Sequence, residues 1–78
     1  MDSLSTLALV EDETEVTIRA LNGDARELEW LRAIGLFEGQ RVRVLRRALF
    51  GGPLHIRVAS GGEFAVDRSL AKSIQVES

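Results

Sequence analysis

Five short segments of this sequence alternate apolar with polar residues, which is the period of a β-strand with one buried face. Glycine-rich breaks separate several of them, including the Gly51-Gly52-Pro53 turn and the Ser60-Gly61-Gly62 turn before the fourth segment. Strands are therefore predicted over residues 15–21, 41–47, 54–59, 64–66 and 74–76.

One helix is predicted between the first and second strands. Asp24 followed by Glu27 matches a capping box, and Gly35 stands where a left-handed C-terminal cap needs a residue without a Cβ. Between them, three apolar residues repeat at helical spacing: Leu28, Leu31 and Ile34. The helix has about three turns, and residues 68–72 allow one further helical turn.

A chain with one helix-length crossover cannot stack its strands as repeated βαβ units. The pattern instead favours a mostly β fold, a small SH3-like antiparallel barrel of about five strands with one short helix inserted after the first strand. Closing the sheet removes exposed edges and encloses one core. The residues predicted to fill that core are Val16, Ile18, Val42, Val44, Ile56, Val58, Val66, Ile74 and Val76.

The length of 78 residues allows one domain, 1–78, with residues 1–12 as a flexible lead-in. The absence of cysteine excludes disulfides, a thiolate nucleophile and cysteine-based metal sites, and it favours a reducing compartment. The first residues carry no basic segment, and their longest apolar run, 7–10, has four residues. We expect a cytoplasmic protein without direct membrane insertion.

Charge is distributed unevenly along the chain. Residues 1–39 hold three arginines against nine acids, whereas residues 40–78 hold seven cations against three acids. Four of those cations form a basic stripe on and just beyond the second strand, next to Phe50: Arg41, Arg43, Arg46 and Arg47.

Three interpretations of the stripe are open: a solubilising, edge-protecting surface, a site for an acidic protein partner, or a nucleic-acid site. A net charge of -2 and an aromatic content of 5% favour a protein partner over nucleic acid. Trp30, offset from the apolar helix stripe and expected to be partly exposed, is a second candidate anchor. The predicted partner-binding residues are Arg43, Arg46, Arg47, Phe50 and Trp30.

No catalytic or cofactor site is predicted. Ser60, His55 and Asp67 supply the residue types of a hydrolytic triad without a recognisable arrangement. His55 is expected to point outward, and as a metal ligand it would need carboxylates or water as further donors because the chain has no second histidine. The glycine pairs lack the spacing and the following helix of a phosphate-binding loop. We predict a protein that is not an enzyme and has no bound cofactor.

Four stretches in order resemble the FeoA family of ferrous iron transport accessory proteins, over about residues 15–77. They are LRAIGLFEG at 31–39, RVRV at 41–44, GGPLHIRV at 51–58 and FAVDRSLAKSIQV at 64–76. The resemblance implies an SH3-like, cytoplasmic adaptor that binds the membrane GTPase transporter FeoB in bacterial ferrous iron uptake.

Alternatives to the adaptor interpretation remain. The same barrel occurs as the C-terminal domain of iron- and manganese-dependent repressors of the DtxR type, so a repressor-like regulatory domain is one alternative and a nucleic-acid-binding barrel another. Direct binding of a transition metal ion, ferrous iron, by His55 with carboxylates such as Glu63 ranks last. A homodimer is also compatible with a small barrel.

Overall fold

The computed structural model describes residues 4–78 and is built mainly of β-strands. The six strands are β1 (Leu4–Thr6), β2 (Thr14–Leu21), β3 (Arg41–Arg47), β4 (Leu54–Val58), β5 (Glu63–Val66) and β6 (Ile74–Glu77). Helix α1 (Ala25–Ala33) follows β2, and a single turn, α2 (Arg68–Ala71), precedes β6. A 3₁₀ turn, Leu7–Leu9, lies between β1 and β2.

All pairs in the sheet are antiparallel, and the strand order is β1-β6-β2-β3-β4-β5. The register shifts twice, between Ile18 and Ala20 in β2 and between Val44 and Arg46 in β3. Such bulges bend a strand and increase its twist, which helps a short sheet curl around its own inner face. The predicted mostly β, SH3-like fold is confirmed.

The core lies on the inner face of this curved sheet. All nine residues predicted to fill it are buried, and Leu7, Leu31, Leu36 and Leu54 join them from the 3₁₀ turn, α1, the following loop and β4. In β4 the inner positions alternate with exposed or half-buried ones, since Leu54, Ile56 and Val58 are buried and His55 and Arg57 are not. The alternation that predicted the strands therefore also predicted which face is buried.

Both ends of α1 have the predicted local geometry. The Asp24 side chain accepts a bond from the Glu27 backbone N–H at 2.8 Å, and the Glu27 side chain accepts one from the Asp24 N–H at 3.1 Å. At the other end Gly35 has φ +94°, and the Leu36 N–H donates to the Leu31 carbonyl at 2.8 Å. This is a Schellman ending, closed by two buried leucines, Leu31 and Leu36.

The five predicted strands correspond to β2–β6, while β1 and the 3₁₀ turn were not predicted. Leu7, Ala8 and Val10 are buried and complete the core beside β6 and α2. Their run Leu7–Val10 has the period of neither a strand nor a long helix, so its burial follows from tertiary packing. Within the described part of the chain, the helices are too short to cross a lipid bilayer.

Candidate functional site: a basic sheet face and an apolar hairpin tip

The outward-facing residues at the centre of β3 and β4 form a basic face, defined here as Arg43, Arg46, His55 and Arg57. The backbone register places Arg43 directly across from Arg57, and Arg46 directly across from His55. Their neighbours along the strands, such as Val44 and Ile56, point into the core. The hairpin that carries this face contains no acidic residue between Gly39 and Gly62.

Ion pairs lie at both borders of the basic face, and one of them neutralises Arg57. Arg57 Nη2 lies 2.7 Å from the Glu63 carboxylate on β5. On the other side, the Arg41 guanidinium lies 2.5 Å from the Glu15 carboxylate of β2. Among residues 4–78, neither Arg43 nor Arg46 has a carboxylate within 4.0 Å. Within the described residues, these two arginines are therefore the unpaired arginines of this face.

The positive charge of the basic face changes the pKa of the Glu63 carboxyl group. The hydrogen bond and the positive charge of Arg57 lower the pKa of Glu63 below its ordinary value of 4.5, and Arg46 and His55 act in the same direction. Glu63 is therefore ionised throughout the neutral range and stays paired with Arg57.

The loop between β3 and β4 ends in an apolar tip, defined here as Leu49 and Phe50. Leu49 is 80% exposed and Phe50 is fully exposed. Phe50 has φ +58°, a left-handed conformation that is unfavourable for a bulky side chain and that recurs at functional loops. Two adjacent large apolar side chains in full contact with water are the kind of surface that marks an interaction site.

Contacts at its base fix the conformation of this loop. The Ala48 N–H donates to the Pro53 carbonyl at 2.9 Å, and the Gly52 N–H to the Leu49 carbonyl at 3.2 Å. Arg68, at the start of α2, donates from Nη2 to the Gly52 carbonyl at 3.3 Å. The apolar tip is thus held by β3, β4 and α2 together, so a partner would meet a preorganised surface.

Arg47 belongs to a different surface from Arg43 and Arg46. Adjacent residues of a strand point to opposite faces, so Arg47 faces away from the side on which Arg46 lies. Its register partner on β4 is Leu54, which points inward. Its guanidinium donates to the Val10 carbonyl and lies 3.7 Å from the Asp12 carboxylate. Arg47 therefore ties the N-terminal segment to the hairpin.

Trp30 lies far from the apolar tip along the fold. Helix α1 connects the end of β2 to the start of β3, whereas the tip follows the end of β3, so the two occupy opposite ends of the sheet. Trp30 is 42% exposed, as the sequence predicted. A nearby groove of about 370 Å³ is lined by Leu21, Leu28, Arg32, Phe37 and Glu38. The structure brings Arg43, Arg46 and the tip to one hairpin and leaves Trp30 as a separate patch.

The residue types of a hydrolytic triad are not brought together. Ser60 lies in the turn after β4, while Asp67 follows β5 at the opposite end of that hairpin, with His55 on the strand between them. Glu63 faces Arg57 and not His55. Across the described residues, no group of three or more His, Cys, Asp or Glu side chains could hold a metal ion.

Three residues of this site, Leu49, Arg57 and Arg68, were not singled out as candidates in the sequence. Leu49 precedes Phe50 directly, and an apolar pair next to Gly51-Gly52-Pro53 is a signal that could have indicated an exposed hairpin tip. Arg68 gave no such signal, because its contact with Gly52 joins parts of the chain sixteen residues apart.

Comparison with protein families gives one match, to the FeoA domain, over residues 5–78. The match spans almost the whole chain. A search of curated proteins finds no match.

Solved structures share the fold at low sequence identity. An iron uptake regulatory protein (FeoA) is 23% identical with a TM-score of 0.84, over 97% of this chain and 99% of that one. A FeoA-like protein from Clostridium acetobutylicum is 22% identical with a TM-score of 0.82, over 97% of this chain and 87% of that one. A manganese-dependent transcriptional repressor is 24% identical with a TM-score of 0.90, over 100% of this chain but 43% of that one.

Proposed function

Because the chain belongs to the FeoA domain family, we propose that it is a non-enzymatic, cytoplasmic accessory protein of bacterial ferrous iron transport that binds the membrane GTPase transporter FeoB. Family membership supports the role in ferrous iron transport. Iron is the cargo of that system, and the proposal requires no iron on this chain.

The proposed binding role rests on the surface of the β3–β4 hairpin. It presents two free arginines, Arg43 and Arg46, beside a preorganised apolar tip that includes Phe50. Binding energy at protein interfaces concentrates in a few aromatic and arginine anchors, and this hairpin offers both kinds. We assign the primary contact to it, with Arg47 at its border and Trp30 as a second, separate contact.

The accessory protein acts by binding one state of the transporter better than another. A ligand shifts a conformational equilibrium only by its difference in affinity for the two states. The rigid hairpin is suited to this role because its partner would not have to order it first. Nucleotide cycling of the transporter is the step that such a shift would alter.

A second candidate function is nucleic-acid binding by the basic face. The free charges of Arg43 and Arg46 favour it, since phosphate contacts supply most non-specific affinity for nucleic acids. The likeness to the manganese-dependent repressor concerns the fold, and it covers 43% of that protein. The net charge of -2 weighs against this candidate.

Affinity co-purification tests the proposed function. A tagged copy of the chain is isolated from its native cells in mild detergent after nuclease treatment, and its partners are identified by mass spectrometry. We expect the FeoB transporter in the eluate of the wild type, and a reduced yield for Arg43→Gln/Arg46→Gln. The control Arg26→Gln/Lys72→Gln removes the same charge at two exposed positions outside the hairpin. Loss of every partner on nuclease treatment would support nucleic-acid binding instead.

A further inference from the structure

The basic face places two arginines, Arg43 and Arg57, opposite each other in the sheet. Arg43 lies directly between Arg57 of β4 and Glu15 of β2 in the backbone register. The Glu15 carboxylate is already bonded to Arg41, and the Glu63 carboxylate to Arg57. Like charges directly opposite each other in a sheet are destabilising. An anion bound over Arg43 would relieve this repulsion.

The geometry of the face indicates the shape of such an anion. Arg43 and Arg46 are three residues apart on β3, but the bulge at Leu45 sets them opposite Arg57 and His55, which are two residues apart on β4. Residues two apart on a regular strand lie on the same side and are separated by about 6.8 Å. An extended peptide has the same repeat, so carboxylates at alternate positions can match the arginines of β3 one for one. Glu15 and Glu63 border the basic face on both sides, which leaves a positive strip only two strands wide.

We propose that the basic face binds an extended acidic segment of a protein partner, with alternate carboxylates over Arg43 and Arg46. This inference deepens the proposed function and rests on it for the identity of the partner. The width of the strip favours one extended chain, because a nucleic-acid duplex laid across it would place phosphates against Glu15 and Glu63. The carboxylates of Glu15 and Glu63 thus limit the width of the positive strip, and with it the kind of anionic ligand that the strip can bind.

Glu63 provides a variant that should strengthen binding. Its carboxylate occupies the guanidinium of Arg57 at 2.7 Å and lies at the edge of the strip. Glu63→Gln removes this competitor and leaves Arg57 free for the ligand. A gain of affinity in this variant and a loss in Arg43→Gln/Arg46→Gln are expected only if the acidic ligand lies over these strands.

The experiment measures binding of a synthetic peptide of five Glu-Thr repeats to the full chain by isothermal titration calorimetry. The control peptide has five Gln-Thr repeats, and a ten-nucleotide oligothymidine tests nucleic acid. Binding is measured at about 0.01 M salt, where charges are screened over about 30 Å, and again at about 0.15 M. The thermal midpoint of each variant confirms that it is folded.

We expect the acidic peptide alone to bind. Its affinity should fall roughly tenfold in Arg43→Gln/Arg46→Gln, rise severalfold in Glu63→Gln, and stay unchanged in Arg26→Gln/Lys72→Gln. The inference is overturned if the wild type does not bind the acidic peptide at low salt, if the folded double variant binds as well as the wild type, or if oligothymidine binds more tightly. If FeoB co-purifies but the acidic peptide does not bind, this inference fails while the proposed function stands.

Discussion

Single residues at the ends of α1 determine where the helix begins and stops. The capping pair Asp24 and Glu27 and the left-handed Gly35 were predictable, because each acts on backbone groups within a few residues of itself. The contacts of Arg47 with Val10 and Asp12 were not, since they join residues distant in the chain. Local chemistry can be read from sequence, whereas the choice of ion-pair partner depends on the fold.

The N-terminal cap gives a first prediction at this scale. Asp24→Ala removes the acceptor of the Glu27 N–H, and loss of such a cap costs about 1 kcal/mol. We expect urea denaturation to show this decrease in the free energy of unfolding with an unchanged m-value. Glu29→Ala, an exposed change within the same helix, is the control. Equal stability of Asp24→Ala and wild type would mean that the capping box does not stabilise α1.

The ion pair of Glu63 gives a pH prediction. Because its pKa is lowered in the folded protein, this carboxylate stabilises the fold at pH above its unfolded pKa, and the contribution disappears as pH falls through the folded pKa. The stability difference between wild type and Glu63→Gln should therefore be present at pH 7 and vanish well below pH 4.5. Thermal midpoints across this range measure it. A difference that grew on acidification would contradict the pairing with Arg57.

At the scale of elements, some features of the β3–β4 hairpin could be predicted from the sequence and others could not. Its strands follow from alternation and its turn from Gly51-Gly52-Pro53, so the basic stripe was visible in the sequence. The bulge at Leu45 and the register that sets Arg43 against Arg57 were not. A bulge changes which residues face each other without changing composition, and no local pattern marked it.

The apolar tip is predicted to serve binding and not stability. Leu49→Ser/Phe50→Ser changes two exposed side chains, so the free energy of unfolding should stay within about 0.5 kcal/mol per site. Affinity for the transporter should fall by about 2 kcal/mol if Phe50 is a central anchor. Leu9→Ser, a change at a leucine that is 72% exposed outside the hairpin, is the control. A tip variant that bound normally would remove Phe50 from the interface.

At the scale of the whole molecule, one small hydrophobic core stabilises the sheet that carries the basic face. A domain of 78 residues is stabilised by about 4–12 kcal/mol. Ile56 is fully buried directly beneath the basic face, and Ile56→Ala should cost about 2–5 kcal/mol. Chemical denaturation measures this loss, with the exposed Leu9→Ala as the control. If Ile56→Ala were as stable as Leu9→Ala, the inner face of β4 would be assigned wrongly.

The molecular scale also shows why only part of the candidate site was predictable. The core and fold class followed from strand periodicity, but the distance between Trp30 and Phe50 depends on which end of the sheet each connection crosses. Likewise, the burial of Leu7 and Val10 depends on the tertiary packing of their segment against β6 and α2. Of the five predicted anchors, Arg43, Arg46 and Phe50 lie on the β3–β4 hairpin. Arg47 lies at its border, and Trp30 forms a separate patch.

We propose that Arg43 and Arg46 of the basic face bind the iron transporter FeoB. The most direct measurement is the affinity of purified FeoB, in detergent, for the wild-type chain, for Arg43→Gln/Arg46→Gln and for the charge-matched Arg26→Gln/Lys72→Gln. We predict binding of the wild type and of the charge-matched control, and a loss of roughly tenfold or more in the basic-face variant. Equal affinity of all three chains would show that Arg43 and Arg46 lie outside the interface, and no binding of the wild type would exclude FeoB as the partner.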